Sequence, residues 1–266
     1  MAIGNRQSII TLLTDFGSQD YFVGAMKGVI LSINPETRIV DISHEIPAQD
    51  IQAAAFNLLC CYDTFPAGTI HVAVVDPGVG SDRKPVAIDC GKQFFVGPDN
   101  GLFSWICERE REFRAVHLTK RNFFREPVSH TFHGRDIFTP IGAVLSKGVS
   151  INELGEPVDD IVRLESLEPR RLGDGTIEGR VIHIDRFGNC VTNLTAEHVS
   201  GREKLIIGDI EITSFRRFFA EGDVASNEMF GVIGSAGFLE IAAQNASASA
   251  ILNARNGQPV VLISQS

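Results

Sequence analysis

The stretch Val74-Val75-Asp76-Pro77-Gly78-Val79-Gly80-Ser81-Asp82-Arg83 constrains the fold most, because an apolar run ends there on residues that forbid its continuation. Pro77 has no N–H to give a sheet, and Gly78 and Gly80 open backbone angles closed to other residues. A strand is predicted to stop at Asp76 and bare its side chain, with a cation, Arg83, just beyond the turn. Open α/β sheets hold ligands at that edge.

The same pattern occurs upstream. Ile9 to Thr14 is a β-branched and leucine run that ends on Asp15-Phe16-Gly17, as a buried strand would. Ser18 or Asp20 is placed to cap a helix in which Phe22, Met26, Val29, Ile30 and Ile33 recur at helical spacing until Asn34-Pro35. Arg38 to Ile42 reads as a second strand, Gln49 to Cys61 as an alanine-rich helix and Thr69 to Val75 as a third strand. This alternation predicts an α/β domain with a largely parallel sheet flanked by helices. Pro85 to Cys90 and Gln93 to Val96 form a hairpin appended to that core, around Gly91-Lys92. Helices are expected over Leu102 to Arg109 and Ile137 to Leu145, the second with Pro140 in its first turn.

From Ile151 to Arg171 the chain is charged, holds Pro157 and Pro169 and keeps no period, so it reads as a connection. Beyond it, Thr176 to Asp185 and Cys190 to Leu194 alternate around Asp185-Arg186-Phe187-Gly188-Asn189, a hairpin pattern. Lys204 to Ile212, Phe230 to Ile233, Leu239 to Ala243 and Pro259 to Ser264 add short strands. The expected division is an α/β domain over 1–165, a linker over 166–175 and a smaller all-β domain, barrel or sandwich, over 176–266.

Charge and cysteine usage narrow the function. A net charge of −9 with scattered lysines and arginines opposes a nucleic-acid backbone, so no nucleic-acid partner is expected. No apolar run approaches the roughly 20 residues of a bilayer span, and no membrane partner is expected. Met1 to Ser8 has one arginine and no long apolar core, which fits a cytoplasmic protein better than a secreted one. Cys60, Cys61, Cys90, Cys107 and Cys190 lack CxxC spacing, so buried free thiols are expected, not a zinc site or disulfides.

Acids stand where strands end, at Asp15, Asp76, Asp99 and Asp185. An aspartate before glycine is commonly a turn residue, and that reading is strongest for Asp99. Asp15 with Asp20 can instead accept from a diol or an ammonium, or bind a divalent cation, although no His or Glu stands at ligand spacing. His133, in Phe132-His133-Gly134-Arg135-Asp136, is a structural histidine or a base kept neutral by the neighbouring cation. The turn from Pro77 to Gly80 lacks the lysine and hydroxyl of a P-loop and the GxGxxG order of a dinucleotide fold. Phe187 and Asn189 can stack on and hydrogen-bond a flat heterocycle, or form a plain hairpin turn.

Taken in order, Thr14-Asp15-Phe16-Gly17 with Asp20, Val75 to Gly80 with Arg83, Pro98-Asp99-Asn100-Gly101, Phe132 to Asp136, and Asp185 to Asn189 resemble the S-adenosyl-L-methionine hydroxide adenosyltransferases. These are hydrolytic relatives of the fluorinating and chlorinating adenosyl enzymes. The resemblance implies an N-terminal α/β domain, a C-terminal β domain, and a homotrimer with active sites between one subunit's first domain and its neighbour's second. It implies hydrolysis of S-adenosyl-L-methionine to adenosine and L-methionine, with no cofactor and no metal. By position, the catalytic set falls on Asp76, Arg83 and His133. Asp15 matches a ribose-diol carboxylate, Asp20 an acid near the methionine moiety, Phe187 and Asn189 the adenine contacts, and Ser235 a carboxylate-binding serine. Asp185 belongs to the same substrate-binding set.

The implied chemistry suits these side chains. Displacement at ribose C5′ expels a neutral thioether, so the leaving group needs no acid; an in-line, activated water is needed instead. His133 is expected as proton acceptor, Asp76 as the group orienting the water or sharing its proton, and Arg83 as the stabilising cation, with the order of His133 and Asp76 open. Halide is the alternative nucleophile within the superfamily, disfavoured by the carboxylate of Asp76 and by the lack of a long extra loop. A metal-dependent phosphoester hydrolase and a non-catalytic sensor of S-adenosylmethionine or adenosine are the alternatives outside it.

Overall fold

A computed structural model describes residues 7–173, 175–199, 203–221 and 227–264, in two compact units, Met1–Ser166 and Leu167–Ser266. In the first unit β1 (Ile9–Thr14) leads to α1 (Phe22–Ile33), β2 (Arg38–Ser43), α2 (Ile51–Leu59) and β3 (Ile70–Val74). There follow β4 (Pro85–Asp89), β5 (Phe94–Pro98), α3 (Ser104–Glu110), β6 (Arg114–Leu118), α4 (Thr139–Ser146) and β7 (Gly155–Val158). The seven strands lie in the order β2-β1-β3-β5-β4-β6-β7.

The sheet is mixed, which corrects the expectation of a largely parallel one. The pairs β1–β2, β1–β3 and β3–β5 are parallel, whereas β4–β5, β4–β6 and β6–β7 are antiparallel. The hairpin β4–β5 is no appendage either, because β5 pairs directly with β3 and so joins the two halves. A two-residue turn dictates an antiparallel pair but not which strand docks on the core.

All of β3 and all of β1 beyond Ile9 are buried, as strands covered on both faces must be. On one face Ile10, Leu12, Val72 and Val74 share a core with Met26 and Ile30 of α1 and Ile141 of α4. α2 packs on α3 and against β1.

Three local expectations change. The N-cap of α1 is Tyr21 with no side-chain cap, so neither Ser18 nor Asp20 caps it; both precede the position from which a side chain caps the first turn. Asp50 is the working cap of α2, accepting from the Ala53 N–H at 2.8 Å. The stretch Ile151 to Arg171, expected to be a connection, contains β7 on the sheet edge, where Pro157 is tolerated and four residues are too few to show alternation.

The second unit holds β8 (Arg170–Arg171), β9 (Ile177–Ile184), β10 (Cys190–Thr195), β11 (Glu203–Ile207), β12 (Ile210–Ile212), β13 (Phe215–Arg216), β14 (Met229–Ile233), β15 (Phe238–Ala243), α5 (Ala248–Leu252) and β16 (Pro259–Ser264). β8 pairs with β9 inside the stretch expected as a linker, of which Asp174 lies outside the described residues. Lys204 to Ile212 is a hairpin, not one strand, because Gly208 turns the chain at φ +58.

One sheet runs β12-β11-β16-β9-β10-β15-β14-β13. Val181, Leu194, Leu205, Ile212, Ile241 and Val260 of six strands meet in one buried cluster, so the sheet curls around its own core as a half-barrel. Among the described residues no helix is long and apolar enough to cross a membrane.

Candidate active site

β3 ends at Val74, two residues before Asp76, and the Asn100 side chain pins the strand's continuation by donating to the Val75 carbonyl at 2.8 Å. The chain then turns twice, Val79 N–H to Asp76 carbonyl and Ser81 N–H to Gly78 carbonyl, and brings Arg83 back over Asp76. Arg83 Nε donates to both carboxylate oxygens, at 2.9 and 3.1 Å, and Nη2 donates to Asp76 Oδ2 as well. The same Nη2 donates to His133 Nδ1 at 2.7 Å, across 50 residues of sequence. The glycine turn makes this possible: at Gly80, φ +80, a Cβ would lie 2.5 Å from the His130 carbonyl oxygen, so only glycine lets the histidine loop dock.

His133 stands at the start of a π-helical turn, Gly134–Phe138. Its loop is held from within by Asp136, fully buried, which accepts from Arg135 at 2.7 and 2.8 Å, from Arg125 at 3.2 Å and from the Ser129 N–H at 2.9 Å. Arg135, expected to be the cation acting on His133, is thus spent on Asp136. Burial lowers the pKa of His133, and the Arg83 charge lowers it further.

Arginine has donors only, so His133 Nδ1 is the acceptor and a neutral imidazole carries its hydrogen on Nε2. His133 therefore has no free lone pair in this arrangement, while Asp76 keeps acceptor capacity beyond its bonds to Arg83. Asp76 and Arg83 side chains are 5% and 10% exposed, and Arg83 lies over the Phe138 ring at 5.2 Å. Arg83 Nη1 is buried without a hydrogen-bond partner among the described residues. A dry donor of this kind calls for an acceptor.

The register Thr14↔Val74 puts the Asp15 loop beside the Asp76 loop at one sheet edge. Asp15 accepts from the Gln49 N–H at 2.8 Å, with Gln49 in a left-handed conformation at φ +67. His44 braces the loop through Thr14 Oγ1, 2.8 Å from its Nδ1, and through its carbonyl, which accepts from Gly17 at 2.7 Å. Phe16 meets Phe132 edge-on at 5.9 Å, which ties this loop to the histidine loop. Asp20 is exposed. Asp99 accepts from the Val162 N–H at 2.8 Å, a structural bond, and burial raises its pKa.

The second unit has its own pocket, of about 750 Å³, lined by Asp185, Phe187, Asn189, Phe219, Ser235 and Glu240 among others. Asp185 is committed to the hairpin turn: it accepts from the Phe187 and Asn189 N–H groups at 2.9 and 2.8 Å and from Asn189 Nδ2 at 2.8 Å. Asn189 is buried and held, whereas Phe187 is 77% exposed. Sequence reasoning did not assign Phe219 or Glu240. A signal for Glu240 existed, since it is an acid between buried Leu239 and Ile241 on β15. Burial, with the charge of Asp185, pushes its pKa up to about 6. Among the described residues no three or more His, Cys, Asp or Glu side chains are grouped to hold a metal ion.

A carboxylate, a guanidinium and an imidazole held together in a half-dry cluster at a strand edge, on an α/β unit followed by a curled β unit, mark an enzyme. Residues 10–155 match the SAM hydroxide adenosyltransferase N-terminal domain and residues 179–261 its C-terminal domain, so the chain belongs to that family. It is 37% identical to the (R)-S-adenosyl-L-methionine hydrolase of Methanocaldococcus jannaschii, over 92% of either chain, and 36% identical to that of Thermus thermophilus, over 96% of this chain and 99% of the other. More distant relatives carry the name fluorinase, such as that of Nocardia brasiliensis, 27% identical over 76% of this chain and 75% of its own. Among solved structures, an uncharacterized conserved protein from Thermotoga maritima superposes with a TM-score of 0.87 at 32% identity, over 95% of this chain and 99% of that one.

Proposed function

We propose that the chain hydrolyses S-adenosyl-L-methionine to adenosine and L-methionine, with the (R) configuration at sulfur that its relatives' names specify. In the proposed step the water oxygen bonds to ribose C5′ as the C5′–S bond breaks. The bonding pair goes to sulfur, which leaves as the neutral thioether of methionine, and the water's proton passes to Asp76. The observation that carries this reading is the buried, unpartnered Nη1 of Arg83 beside Asp76 and His133 in a chain of this family.

In this reading Asp76 orients the water and takes its proton, Arg83 supplies a donor to the developing hydroxide, and His133 holds Arg83. Asp15 receives the ribose diol, Phe187 and Asn189 the adenine, and Asp20 and Ser235 the methionine end, with Asp185 shaping the adenine turn. The reading includes no cofactor, a cytoplasmic location and a homotrimer with active sites at subunit interfaces. The open pocket of the second unit, with Phe187 and Phe219 exposed on it, supports such a covering neighbour. Sedimentation gives the mass, and a monomer removes the trimer from the proposal.

Fluorinase relatives make halide the second reading. Asp76 is already paired with Arg83, so charge repulsion is a weaker argument against halide than it is for a bare carboxylate. Hydrogen bonding discriminates instead: water can donate to Asp76 and a halide cannot. Pure protein is incubated with each sulfur epimer, with and without chloride, fluoride or chelator, and products are followed by chromatography. Adenosine from the (R) epimer, unchanged by chelator, is expected. Halogenated nucleoside, loss with chelator, or binding without turnover would establish the halide, metal-hydrolase and sensor readings respectively.

A further inference from the structure

We infer that His44 is a positioning residue for Asp15, a role that rests on Asp15 being the ribose-diol acceptor of the proposed hydrolysis. The parallel pairing of β1 with β2 skips Ile42: Leu12 stands opposite Asp41, and Leu13 opposite Ser43. A bulge of this kind re-aims the residues beyond it. The next residues in line are Thr14 and His44, whose side chains meet at 2.8 Å. Bonds from the same loop then enclose Asp15. The His44 carbonyl accepts from the Gly17 N–H at 2.7 Å, and the Gln49 N–H donates to Asp15 Oδ2 at 2.8 Å. Thr14 Oγ1 accepts from the Phe16 N–H at 3.3 Å, so the backbone just beyond Asp15 is tied down at two successive residues.

A buried hydroxyl fixes the direction of these bonds. Thr14 is fully buried, and among the described residues its hydroxyl hydrogen has no acceptor other than His44 Nδ1. The hydroxyl therefore donates to Nδ1 and keeps its lone pairs for Phe16. A hydrogen on Nδ1 would strand the hydroxyl's own hydrogen in the core. The imidazole thus carries its hydrogen on Nε2, which is buried and stands 3.1 Å from Asp41 Oδ1 without the alignment of a hydrogen bond. Asp41, held on its other oxygen by Lys27 at 2.6 Å, places a negative charge where it favours this tautomer. From Lys27 through Asp41 and His44 to Thr14, the chain of contacts aims Asp15 before substrate arrives. Such pre-positioning of a binding group acts on ground state and transition state alike, so losing it raises KM and spares kcat.

Substitutions in the full chain, followed by adenosine release from S-adenosylmethionine, test the assignment. His44→Leu removes the acceptor, and His44→Asn returns an acceptor oxygen near the place of Nδ1. The leucine variant should raise KM by roughly 5- to 50-fold, the range of a buried hydroxyl left without its acceptor, with kcat within about threefold. The asparagine variant should recover most of that loss. An Asp15→Ala background separates positioning from general support of the fold: acting only through Asp15, His44→Leu should add less than about twofold to KM there. Should the leucine variant fold poorly, Thr14→Val and Thr14→Ser pose the same question from the other end of the bond, with loss expected for valine and recovery for serine. Additive effects in the double variant, an unchanged KM in His44→Leu, or a fall in kcat as large as the rise in KM overturns the assignment. A KM unmoved by Asp15→Ala itself refutes the ribose reading on which it rests.

Discussion

In the proposed mechanism the bond from Arg83 to His133 assigns the water's proton to Asp76, and a pair of substitutions tests that assignment. Asparagine at 133 places Oδ1 near where Nδ1 now accepts from Arg83 at 2.7 Å, while alanine leaves that donor unmet. A hydrogen bond to a charged group contributes about 1.5–3 kcal/mol, so His133→Ala should slow adenosine release by roughly 10- to 150-fold. His133→Asn should return to within about tenfold of wild type, since it keeps Arg83 aligned without any ring nitrogen. pH separates the variants further. Burial and Arg83 lower the pKa of His133, so wild-type activity should persist below the ordinary histidine value of about 6.5. It should fall as pH drops through the lowered pKa, because a proton on Nδ1 expels Arg83. His133→Asn should lack that acid limb. Equal losses of about 10²- to 10⁴-fold in both variants would refute the reasoning and make His133 the general base.

Two further outcomes test the supporting structure. Asp15→Ala should raise KM by about tenfold or more with a small change in kcat, since its lost bonds are made to the resting substrate as well as the transition state; an equal fall in kcat would place Asp15 in the chemistry. His71, fully buried between Thr11 at 2.8 Å and Gln93 at 3.3 Å, has its pKa lowered by burial to about 4. The unfolded chain binds that proton first, so stability should fall by about 3 kcal/mol as pH drops from about 6.5 to 4; urea unfolding of His71→Gln should show a flatter acid dependence, and parallel curves would exclude His71 as a cause.

What the sequence revealed depended on how local the determinant was. Ile9–Thr14 and Pro259–Ser264 were legible to the residue, because β-branched runs bounded by Asp-Phe-Gly or Gly-Gln-Pro set their own ends. Asp76 was legible only as an acid just past a strand end; the strand stops at Val74, and the carboxylate is not bared but buried against Arg83, a contact the glycine turn makes. The docking of β5 on β3 was not, since a hairpin turn carries no information about its outer partner. The Arg83–His133 contact spans 50 residues and depends on Gly80 admitting the His130 carbonyl, which no spacing expresses. Arg135 was read as the cation on His133 because it is adjacent in sequence; a buried aspartate next door claims it. Glu240 was hidden in a strand that alternation explains well, where only burial distinguishes a pocket acid from a solvated one.

The placement of negative charge follows from the direction in which charge moves. A sulfonium begins the reaction at +1 and ends as a neutral thioether, so an unpaired carboxylate beside sulfur would hold the substrate back. Water, in contrast, becomes more acidic as its oxygen bonds to carbon and must lose a proton. The acceptor for that proton has to be basic in one direction while contributing little net field toward sulfur. Asp76 bound by two nitrogens of Arg83 meets both demands: the pair is close to neutral overall, yet a carboxylate lone pair remains available to the water. Replacing Arg83 with a neutral donor to His133, as in Arg83→Gln, would therefore do more than lose a charge. It would leave Asp76 as a bare charge, which strengthens ground-state binding of the sulfonium while slowing its discharge, so that kcat and KM should fall together.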